Sequence, residues 1–248
     1  MNKRRETPLL KDHIEKHQCT IGLRLEMLGK APFFKGLSAD KLGMVNKYFN
    51  ARHFETGEVI YFENDPATRL RVVVNGKIKL TRQAHEDKDV LIDILKPGEI
   101  FGTLSDLGDH TYNETAIAQT NSCVLSIISS DFRSIMNENA TVAINVLDIT
   151  TARLISSREN FLELSTLPVD KRIYRILCKL SEKFGEPYGN GILIQMPLTR
   201  KDLADMAGTS TETVSRIMSQ LKKDDIIDTG RQWVTILNPD YIAHMDEG

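Results

Sequence analysis

The spacing of apolar residues changes once along this chain, near Asp131, and this change restricts how the chain can fold. Between Phe54 and Ile128, strand-length runs rich in Val, Ile and Leu alternate with the turn sequences NDP, NGK, KPG and LGD. Many short strands with closely spaced turns are typical of a small β-barrel or sandwich. Beyond Asp131, apolar residues recur three or four positions apart, which is the period of a helix. We therefore expect an α+β chain, with a β-barrel or jelly roll first and helices after it.

Composition and charge exclude several classes of protein. With 41% hydrophobic and 27% charged residues in 248 positions, the chain has the composition of a globular protein. No apolar run approaches the roughly 20 residues of a membrane helix, and no apolar segment follows the basic N-terminal residues as in a secretory signal. The cysteines Cys19, Cys123 and Cys178 are widely spaced and odd in number, which argues against a disulfide framework. We expect a cytoplasmic protein that does not enter a membrane.

Two short segments carry specific local predictions. Asn75-Gly76, between RVVV and KIKL, suits a type I′ hairpin turn, because both central positions of that turn need positive φ. The glycine-bearing segment GEPYGNG is interpreted as a linker, and ILIQM after it as a short strand.

One long helical segment follows the β-rich part. Its apolar stripe predicts a helix that packs either against a second copy of itself or against its own β-domain. Pro168 disfavours helical geometry in the residue before it, so the helix should end there and a second domain begin. The stripe, interrupted by two polar residues, consists of Ile144, Leu147, Thr151, Leu154, Arg158 and Phe161.

The stretch LTRKDLADMAGTSTETVSRIMSQL, residues 198–221, predicts two short helices joined by a tight turn. Thr199, with Asp202 three residues later, approximates a capping box, and Gly208 supplies the turn geometry that larger residues resist. The following segment DDIIDTGRQWVTILN predicts a hairpin with Gly230 at its tip. Two helices followed by a two-stranded flap make a winged helix-turn-helix.

The second of these helices exposes side chains with the chemistry that reads base pairs. Arginine can donate two hydrogen bonds to guanine, and glutamate can accept one from cytosine. As an ordinary surface ion pair, Glu212 and Arg216 would contribute only about 0.2–0.5 kcal/mol to the helix. Their place between a glycine turn and a hairpin favours DNA, although the formal net charge of −2 lacks the basic excess of many nucleic-acid binders. We expect base contacts from Thr211, Glu212, Ser215 and Arg216, and phosphate contacts from Thr199, Arg200, Ser210 and Lys222.

Several motifs occur in the order known from one family of bacterial transcription regulators. They are FFKGLSADKL, GEVIYFENDPATRLRVVVNGKIKL, KPGEIFG, LPVDKRI and LTRKDLADMAGTSTETVSR. From Phe33 to Leu237 the chain resembles the CRP/FNR family. This resemblance implies an N-terminal extension at 1–30, a cyclic-nucleotide-binding-like β-barrel sensor domain at 31–135, a dimerisation helix at 136–166 and a winged helix-turn-helix DNA-binding domain at 167–248.

The resemblance also implies a homodimer that binds a palindromic DNA site and contacts RNA polymerase. The pattern E-x-x-S-R, formed by Glu212, Ser215 and Arg216, is similar to the FNR branch of the family and implies a TTGA-type half-site. Thr211 stands where the cyclic-AMP branch has arginine, which argues against the TGTGA half-site of that branch.

The effector pocket that the family implies departs from the cyclic-AMP pattern. Thr103, after the pair FG, replaces a glutamate that binds ribose in that branch, and the segment YNE stands near the position of its phosphate-binding Arg-Ser pair. From Glu99 to Ile127 the sequence has no Lys or Arg, so a phosphate would lack a compensating cation. Cyclic AMP is therefore not expected as the effector. The resemblance places the pocket at Phe101, Gly102, Thr103, Leu104, Tyr112 and Asn113.

Metal and haem sites stay open at a few positions. An FNR-type iron–sulfur cluster needs four thiolates, which three cysteines cannot supply. His13, His17 and Cys19 could share a metal, or they could belong to a polar N-terminal extension. Cys123 is interpreted as an inert buried thiol, and control without any ligand is a further alternative. The candidate haem ligands, each otherwise a surface residue, are His53, His85 and His110.

Two other functions compete with DNA recognition. A metal-dependent enzyme of the cupin kind needs clustered His and Glu ligands on strands, and the sequence has no H-x-H, G-x-S-x-G or phosphate-loop motif. We therefore expect no catalytic residues. An adaptor would use the helix-turn-helix to bind protein, and the basic residues Arg200, Lys201 and Lys222 favour DNA over that alternative.

Overall fold

The computed structural model describes residues 8–9, 19–84, 89–103 and 111–239. From residue 19 onward these fall into two compact units, which divide between Ser157 and Arg158. The first unit is rich in strands and the second is mainly helical, so the predicted α+β class is confirmed. Among the described residues, no helix combines the length and the apolar character of a membrane span.

Eight strands form two antiparallel sheets in the first unit. They are β1 (Asn50–Phe54), β2 (Val59–Tyr61), β3 (Arg69–Asn75), β4 (Ile78–Gln83), β5 (Asp89–Leu95), β6 (Ile100–Gly102), β7 (Thr115–Ala118) and β8 (Ser122–Ile128). One sheet has the order β1-β8-β3-β6 and the other β2-β7-β4-β5. Buried residues of both sheets share one cluster, so the sheets pack face to face as a sandwich and do not close into a barrel.

Alternation along the strands divides their side chains between two cores. Val73 and Val124 of the first sheet meet Ala116 of the second in the space between the sheets. Their chain neighbours Val72 and Leu125 point the other way and belong to a second cluster on the outer face of the first sheet. This division follows because successive side chains of a strand point to opposite faces.

Short helices cover the outer face of the first sheet. They are α1 (Ile21–Lys30), a 3-10 turn (Pro32–Phe34), α2 (Ala39–Asn46) and α3 (Ser129–Glu138). Thr20 and Ser38 cap α1 and α2, because their hydroxyl oxygens accept hydrogen bonds from backbone N–H groups three residues on. Phe34 packs edge-on against Phe132, which ties the 3-10 turn to α3.

A disulfide joins Cys19, which precedes α1, to Cys123 in β8, 104 residues further along the chain. This corrects the interpretation of Cys123 as an inert thiol and the expectation that the cysteines do not pair. The pairing arises because α1 packs over the first sheet, which brings its N-terminus to β8. The number and spacing of cysteines in a sequence do not show which of them lie close together in the folded chain.

The Asn75-Gly76 turn differs from the predicted hairpin. Of the two residues only Gly76 has positive φ, at 83°, whereas a type I′ turn needs it at both. The strands on either side, β3 and β4, also belong to different sheets. Glycine is required because a Cβ at this position would overlap the carbonyl oxygen of Asn121 and the hydroxyl of Ser122.

The long helix α4 (Ala140–Thr166) has 27 residues and begins four residues after the predicted start. Of its residues that the structure describes, Val142 alone is buried, and Val146 and Ile149 pack partly against the outer cluster. The predicted stripe therefore lies on a different side from the one that packs on the β-domain. Its large apolar members are exposed in the single chain: Ile144 by 58%, Leu147 by 66%, Leu154 by 53% and Phe161 by 72%. The other two members, Thr151 and Arg158, are exposed as well.

The second unit combines the C-terminal turns of α4 and three further helices with a small sheet. Its elements are α5 (Val169–Phe184), β9 (Gly185–Tyr188), β10 (Gly191–Ile194), α6 (Arg200–Ala207), α7 (Thr211–Lys223), β11 (Ile227–Gly230) and β12 (Trp233–Ile236). The sheet order is β11-β12-β10-β9. The predicted hairpin is confirmed as β11 and β12, whereas the interpretation of GEPYGNG as a linker is wrong. Its first four residues form β9, because they pair with β10.

Candidate functional site

The first helix of the helix-turn-helix begins at a reciprocal cap. The Thr199 hydroxyl accepts a hydrogen bond from the backbone N–H of Asp202 at 3.0 Å. In return, the Asp202 carboxylate accepts hydrogen bonds from the backbone N–H of Thr199 at 2.9 Å and from its hydroxyl at 2.7 Å. Asp202 is buried, and the cap satisfies its charge locally. The predicted capping box is therefore present and fixes the start of α6.

The turn between α6 and α7 depends on Gly208. Its φ of 59° and ψ of 50° place it in the left-handed region, where glycine is favoured. Ser210 then caps α7 by accepting a hydrogen bond from the backbone N–H of Thr213 at 3.2 Å. The two helices pack through buried side chains, namely Leu203, Ala204 and Ala207 of α6 and Val214, Ile217, Met218 and Leu221 of α7.

The four predicted base-contact residues lie exposed on α7. Thr211 and Glu212 are in its first turn, and Ser215 and Arg216 follow one turn later, so all four share one side of the helix. Hydrogen bonds from its own backbone N–H and from the Ser210 hydroxyl hold the pKa of the Glu212 carboxyl below its usual value. This side of α7 thus presents an ionised acceptor and a guanidinium donor to the surroundings.

The four predicted phosphate-contact residues already have contacts within the unit. Thr199 and Ser210 serve as the caps of α6 and α7. The half-buried Arg200 donates to the Thr229 hydroxyl at 3.2 Å, and burial lowers the pKa of its guanidinium. The Lys222 ammonium lies 2.7 Å from the Asp228 carboxylate and 3.0 Å from the carbonyl oxygen of Thr229. Arg200 and Lys222 therefore hold β11 against the two helices.

Two exposed basic residues beside this face are absent from the predicted set. Lys223 ends α7, and Arg231 lies in the turn between β11 and β12. The hairpin of β11 and β12 is the wing of the winged helix-turn-helix. Its tip is a position from which a cation can approach a DNA backbone. The sequence signal for Arg231 was its place next to Gly230 at the predicted hairpin tip.

The residues of the predicted effector pocket differ in exposure. Phe101 and Tyr112 are buried inside the sandwich, Gly102 and Thr103 are half-buried, and Asn113 is exposed. Leu104 lies outside the described residues. The ring of Tyr61 stacks against each of the other two aromatic rings, with its centroid 3.8 Å from that of Tyr112 and 6.1 Å from that of Phe101. The described pocket residues therefore belong largely to an aromatic stack inside the fold.

A cation that the sequence did not reveal lies in this stack. Arg71 of β3 is 9% exposed, and its guanidinium carbon is 4.6 Å from the Tyr61 ring centroid and 5.1 Å from that of Tyr112. One guanidinium N–H group donates to the Tyr112 hydroxyl at 2.8 Å. The stretch from Glu99 to Ile127 does lack Lys and Arg, but β3 pairs with β6 and places Arg71 opposite Phe101. The expectation that an anion would meet no cation in this region is therefore wrong.

A half-buried carboxyl completes the interior polar group. The Tyr61 hydroxyl donates to Glu114 at 3.3 Å, and burial raises the pKa of the Glu114 carboxyl. Burial, reinforced by the negative charge of Glu114, also raises the pKa of the Tyr61 hydroxyl. Arg153 of α4 acts in the opposite direction on Glu114, and its guanidinium donates to the carbonyl oxygen of Ile100 at 2.8 Å. Polar groups from β2, β3 and β6, from the segment just before β7 and from α4 therefore converge in this region.

The candidate metal and haem ligands do not assemble within the part of the chain that the structure describes. No group of three or more His, Cys, Asp or Glu side chains there could hold a metal ion. Cys19 is bonded to Cys123, and His53 lies opposite Cys123 in the register of β1 and β8. The remaining candidates, His13, His17, His85 and His110, lie outside the described residues.

Comparisons with known proteins agree with the geometry of both units. Residues 51–139 match the family model of the cyclic nucleotide-binding domain, and residues 171–245 match that of the Crp-like helix-turn-helix domain. A CRP-like cAMP-activated global transcriptional regulator of Mycobacterium tuberculosis (strain H37Rv) is 26% identical over 196 residues, which cover 78% of this chain and 87% of the relative. The cyclic AMP receptor protein of Thermus thermophilus is 29% identical over 200 residues, which cover 81% and 89% of the two chains.

The fold also has a close match among solved structures. The structure of FixK2 from Bradyrhizobium japonicum superposes with a TM-score of 0.70 at 22% identity, covering 80% of this chain and 97% of the other. The relatives found by sequence are transcription regulators, which confirms the expectation that the chain is not an enzyme.

Proposed function

Since this chain is a DNA-binding transcription regulator of the CRP/FNR family, we propose that it acts as a homodimer on a palindromic TTGA-type site. The observation that carries the proposal is α7, a capped helix whose four candidate base contacts lie exposed on one side. In such dimers each recognition helix enters a major groove, and half-sites lie about 34–36 Å apart. The proposed parts are an extension at 1–30, a sensor domain at 31–135, a dimerisation helix at 136–166 and a DNA-binding domain at 167–248.

Glu212 and Arg216 are the proposed readers of sequence. The exposed Arg216 guanidinium can donate two hydrogen bonds to one guanine, and the ionised Glu212 can accept from the amino group of a cytosine. These two residues are one helical turn apart, so they can reach the same or neighbouring base pairs. Thr211 and Ser215, between and beside them, would adjust the fit through their hydroxyls.

Contacts to phosphate would fix the position of α7 in the groove. Thr199 and Ser210 stand at the N-termini of α6 and α7, where backbone N–H groups favour an anion. Arg200 and Lys222 both contact β11, and we propose that they bind phosphate while holding this strand through Thr229 and Asp228. The exposed Lys223 and Arg231 are added to this set.

The stripe on α4 supports pairing with a second copy of the chain. Four large apolar side chains are each more than half exposed on that stripe. Complete burial of a Leu, Ile or Phe side chain contributes about 1.5–3 kcal/mol, and association costs roughly 4–15 kcal/mol. Contributions from both copies exceed that cost only if most of the stripe is buried, as in a helix pair along its whole length.

The interior polar group of the sandwich is the proposed effector site. The site comprises Arg71 together with the predicted residues Phe101, Gly102, Thr103, Leu104, Tyr112 and Asn113, of which Leu104 lies outside the described residues and Asn113 is exposed. Two relatives are named for cyclic AMP, but this chain has Thr103 at the position of the ribose-binding glutamate. A four-thiolate iron–sulfur cluster does not fit, because two of the three cysteines are bonded to each other. Action at promoters would make RNA polymerase a partner and place the protein in the cytoplasm.

A titration with three DNA duplexes tests this function. The first carries TTGAT and ATCAA separated by four base pairs, the second is scrambled, and the third has half a helical turn added to the spacer. By fluorescence anisotropy at one fixed salt concentration, the first should bind at least about 1,000-fold more tightly than the scrambled duplex. The third should bind nearly as weakly as the scrambled one, because its half-sites face opposite sides of the helix. Equal affinity for all three would contradict the proposal.

A further inference from the structure

The last turns of α4 belong to the second unit, together with the helices that carry the proposed DNA contacts. The two units divide between Ser157 and Arg158, so residues 158–166 of α4 lie in the second. Of those residues, all of which the structure describes, none is buried and Glu163 alone is half-buried. Burial of apolar side chains therefore contributes little to the attachment of these turns, and polar contacts are its main source.

Glu163 is the centre of an ion cluster that ties α4 to α5. Its carboxylate lies 3.1 Å from the Arg175 guanidinium, and the Lys179 ammonium donates to both carboxylate oxygens at 3.0 Å. The ammonium also donates to the side-chain oxygen of Asn160, one turn earlier on α4, at 3.0 Å. The side chains of Glu163 and Arg175 are only 20% and 29% exposed, so salt screens this pair less than it screens a surface pair.

Two further contacts connect the same turns to the rest of the unit. Arg172 of α5 donates to the carbonyl oxygen of Leu164 at 2.7 Å, an acceptor to which Pro168, four residues on, has no N–H to donate. The Leu164 side chain approaches the turn between α6 and α7, since a Cβ at Gly208 would lie 3.2 Å from its Cδ2. α5 packs against α6, and α6 against α7. The end of α4 and the candidate recognition helix α7 are therefore held together within one unit.

The opposite side of these turns carries part of the stripe proposed for pairing. Phe161, 72% exposed, stands two residues before Glu163, and a helix rotates by about 200° over two residues. In the proposed dimer, one side of the turns thus faces the partner copy and the other holds α5. Resting on the proposed function, we propose that Glu163 is a positioning residue, which fixes the distance and rotation between the two recognition helices and so makes the dimer select one spacer length between half-sites.

Spacer length is the property of the DNA that this cluster should control. One added base pair moves the half-sites about 3.4 Å apart and rotates them by roughly 35° about the axis of the duplex. A dimer whose recognition helices are held rigidly loses contacts at one half-site on such a duplex. When the cluster is broken, each DNA-binding domain can turn at the end of α4. The penalty for a wrong spacer then falls, and so does the affinity for the best one.

Titrations with duplexes that differ in spacer length test this inference. Wild type and Glu163→Gln are titrated with TTGAT and ATCAA separated by two to six base pairs, with a duplex that has one half-site only, and with a scrambled duplex. Wild type should bind one spacer at least about tenfold more tightly than the adjacent lengths, the factor for loss of roughly one base contact. Glu163→Gln should lower this ratio about fivefold, a small value for coupling between linked sites. Its affinity for the single half-site should equal that of wild type.

Two other variants control for charge and for the partner in the cluster. Glu182→Gln removes the same charge from an exposed residue of α5 outside the cluster and should keep the wild-type ratio. Lys179→Gln removes the other side of the interaction and should lower the ratio. Added to Glu163→Gln, it should lower the ratio little further, because the two residues act through one interaction. Urea unfolding of each variant checks that it is folded.

Several results would overturn the inference. One is a Glu163→Gln variant with the wild-type spacer ratio, and another is an equal loss of that ratio in Glu182→Gln. An equal fall in affinity for the single half-site would assign Glu163 to the folding of the DNA-binding domain and not to its placement. A wild type that prefers the palindrome to the scrambled duplex but accepts every spacer equally would contradict this inference alone. A wild type that does not distinguish palindrome from scrambled duplex would contradict the proposed function itself, so the two failures are distinguishable.

Discussion

On α7, Arg216 and Glu212 extend into solvent, whereas in the β-sandwich Arg71 is enclosed by the rings of Tyr61 and Tyr112. The α7 residues come from one helix and lie within six positions of one another in the sequence. The polar residues of the sandwich come from β2, β3, the segment just before β7 and α4, so that only the folded chain brings them together. The same residue types thus occur in two opposite environments.

This difference determines what a substitution should change first. An exposed side chain with few partners in its own chain contributes little to stability, and its interaction energy is available to a ligand. A buried polar side chain has its hydrogen bonds within the fold, and removal of one partner leaves another group unsatisfied. Substitutions on α7 should therefore change binding at constant stability, and those in the interior should change stability.

Tyr112→Ala should have the largest effect on stability. It removes a buried ring from the aromatic stack and the hydroxyl that accepts from Arg71. Loss of a large buried aromatic side chain costs about 3–5 kcal/mol in the free energy of unfolding. Urea unfolding followed by circular dichroism measures it.

Tyr112→Phe is the matched control for this substitution. It keeps the ring and loses only the hydroxyl, so it should cost about 1.5–3 kcal/mol, the range for a hydrogen bond to a charged group. Equal unfolding free energies for Tyr112→Ala and Tyr112→Phe would mean that the stacked ring adds nothing measurable to stability. Interior and surface substitutions would then not differ in their effect on stability as proposed.

Arg216→Ala should come next and should act on binding alone. We expect a loss of about 1–3 kcal/mol of binding free energy on the preferred duplex, with relaxed choice at one base pair. The free energy of unfolding should stay within about 0.5 kcal/mol of wild type, because the side chain is exposed. Competition titrations with single-base variants of the half-site measure the first effect, and urea unfolding the second.

Lys223→Ala provides the contrast on the same helix. It removes an exposed cation without a proposed base contact, so affinity should fall by a similar factor on the preferred and the scrambled duplex. A uniform loss across duplexes for Arg216→Ala as well would assign Arg216 to phosphate rather than to base reading.

Removal of the ion pair between Lys222 and Asp228 should have the smallest effect on the free energy of unfolding, and this effect should depend on pH. A hydrogen bond from Lys222 lowers the pKa of the Asp228 carboxyl in the folded chain. The stabilisation is fully present above the ordinary aspartate pKa of about 3.9, and it is lost as the pH falls through the lowered folded pKa. Because the pair is about half exposed, Asp228→Asn should cost at most about 1 kcal/mol at pH 7.

Paired unfolding measurements on wild type and Asp228→Asn from pH 7 down to pH 3 test this pH dependence. Their difference should shrink at the acid end and in high salt, which screens exposed charges. A difference independent of both pH and salt would assign the effect to the Asp228 hydrogen bond to the Thr229 N–H rather than to charge.

Features that depend on residues close in sequence could be predicted. The cap formed by Thr199 and Asp202, the left-handed Gly208 and the hairpin with Gly230 each depend on a few consecutive positions, and all are present. The exposed side of α7 follows from the helical period alone. The helices, caps and turns that form the candidate DNA interface could therefore be predicted, whereas the contacts that Arg200 and Lys222 make with β11 could not.

Features that depend on distant pairing could not be predicted. Arg71 enters the interior because β3 pairs with β6, and Cys19 meets Cys123 because α1 packs over the first sheet. No local pattern in the sequence encodes either approach. The type I′ turn at Asn75-Gly76 was wrong because the flanking strands separate into different sheets. An arginine within the apolar run RLRVVVN was the one available signal for the interior polar group.

The outward stripe of α4 has a consequence for how much protein a cell must keep. If each chain leaves those apolar side chains uncovered until it meets another, pairing follows mass action and weakens on dilution. Growth and division without new synthesis would then lower the concentration of paired chains faster than the total concentration. The regulator would stop occupying its sites by scarcity alone, with no change in any small molecule.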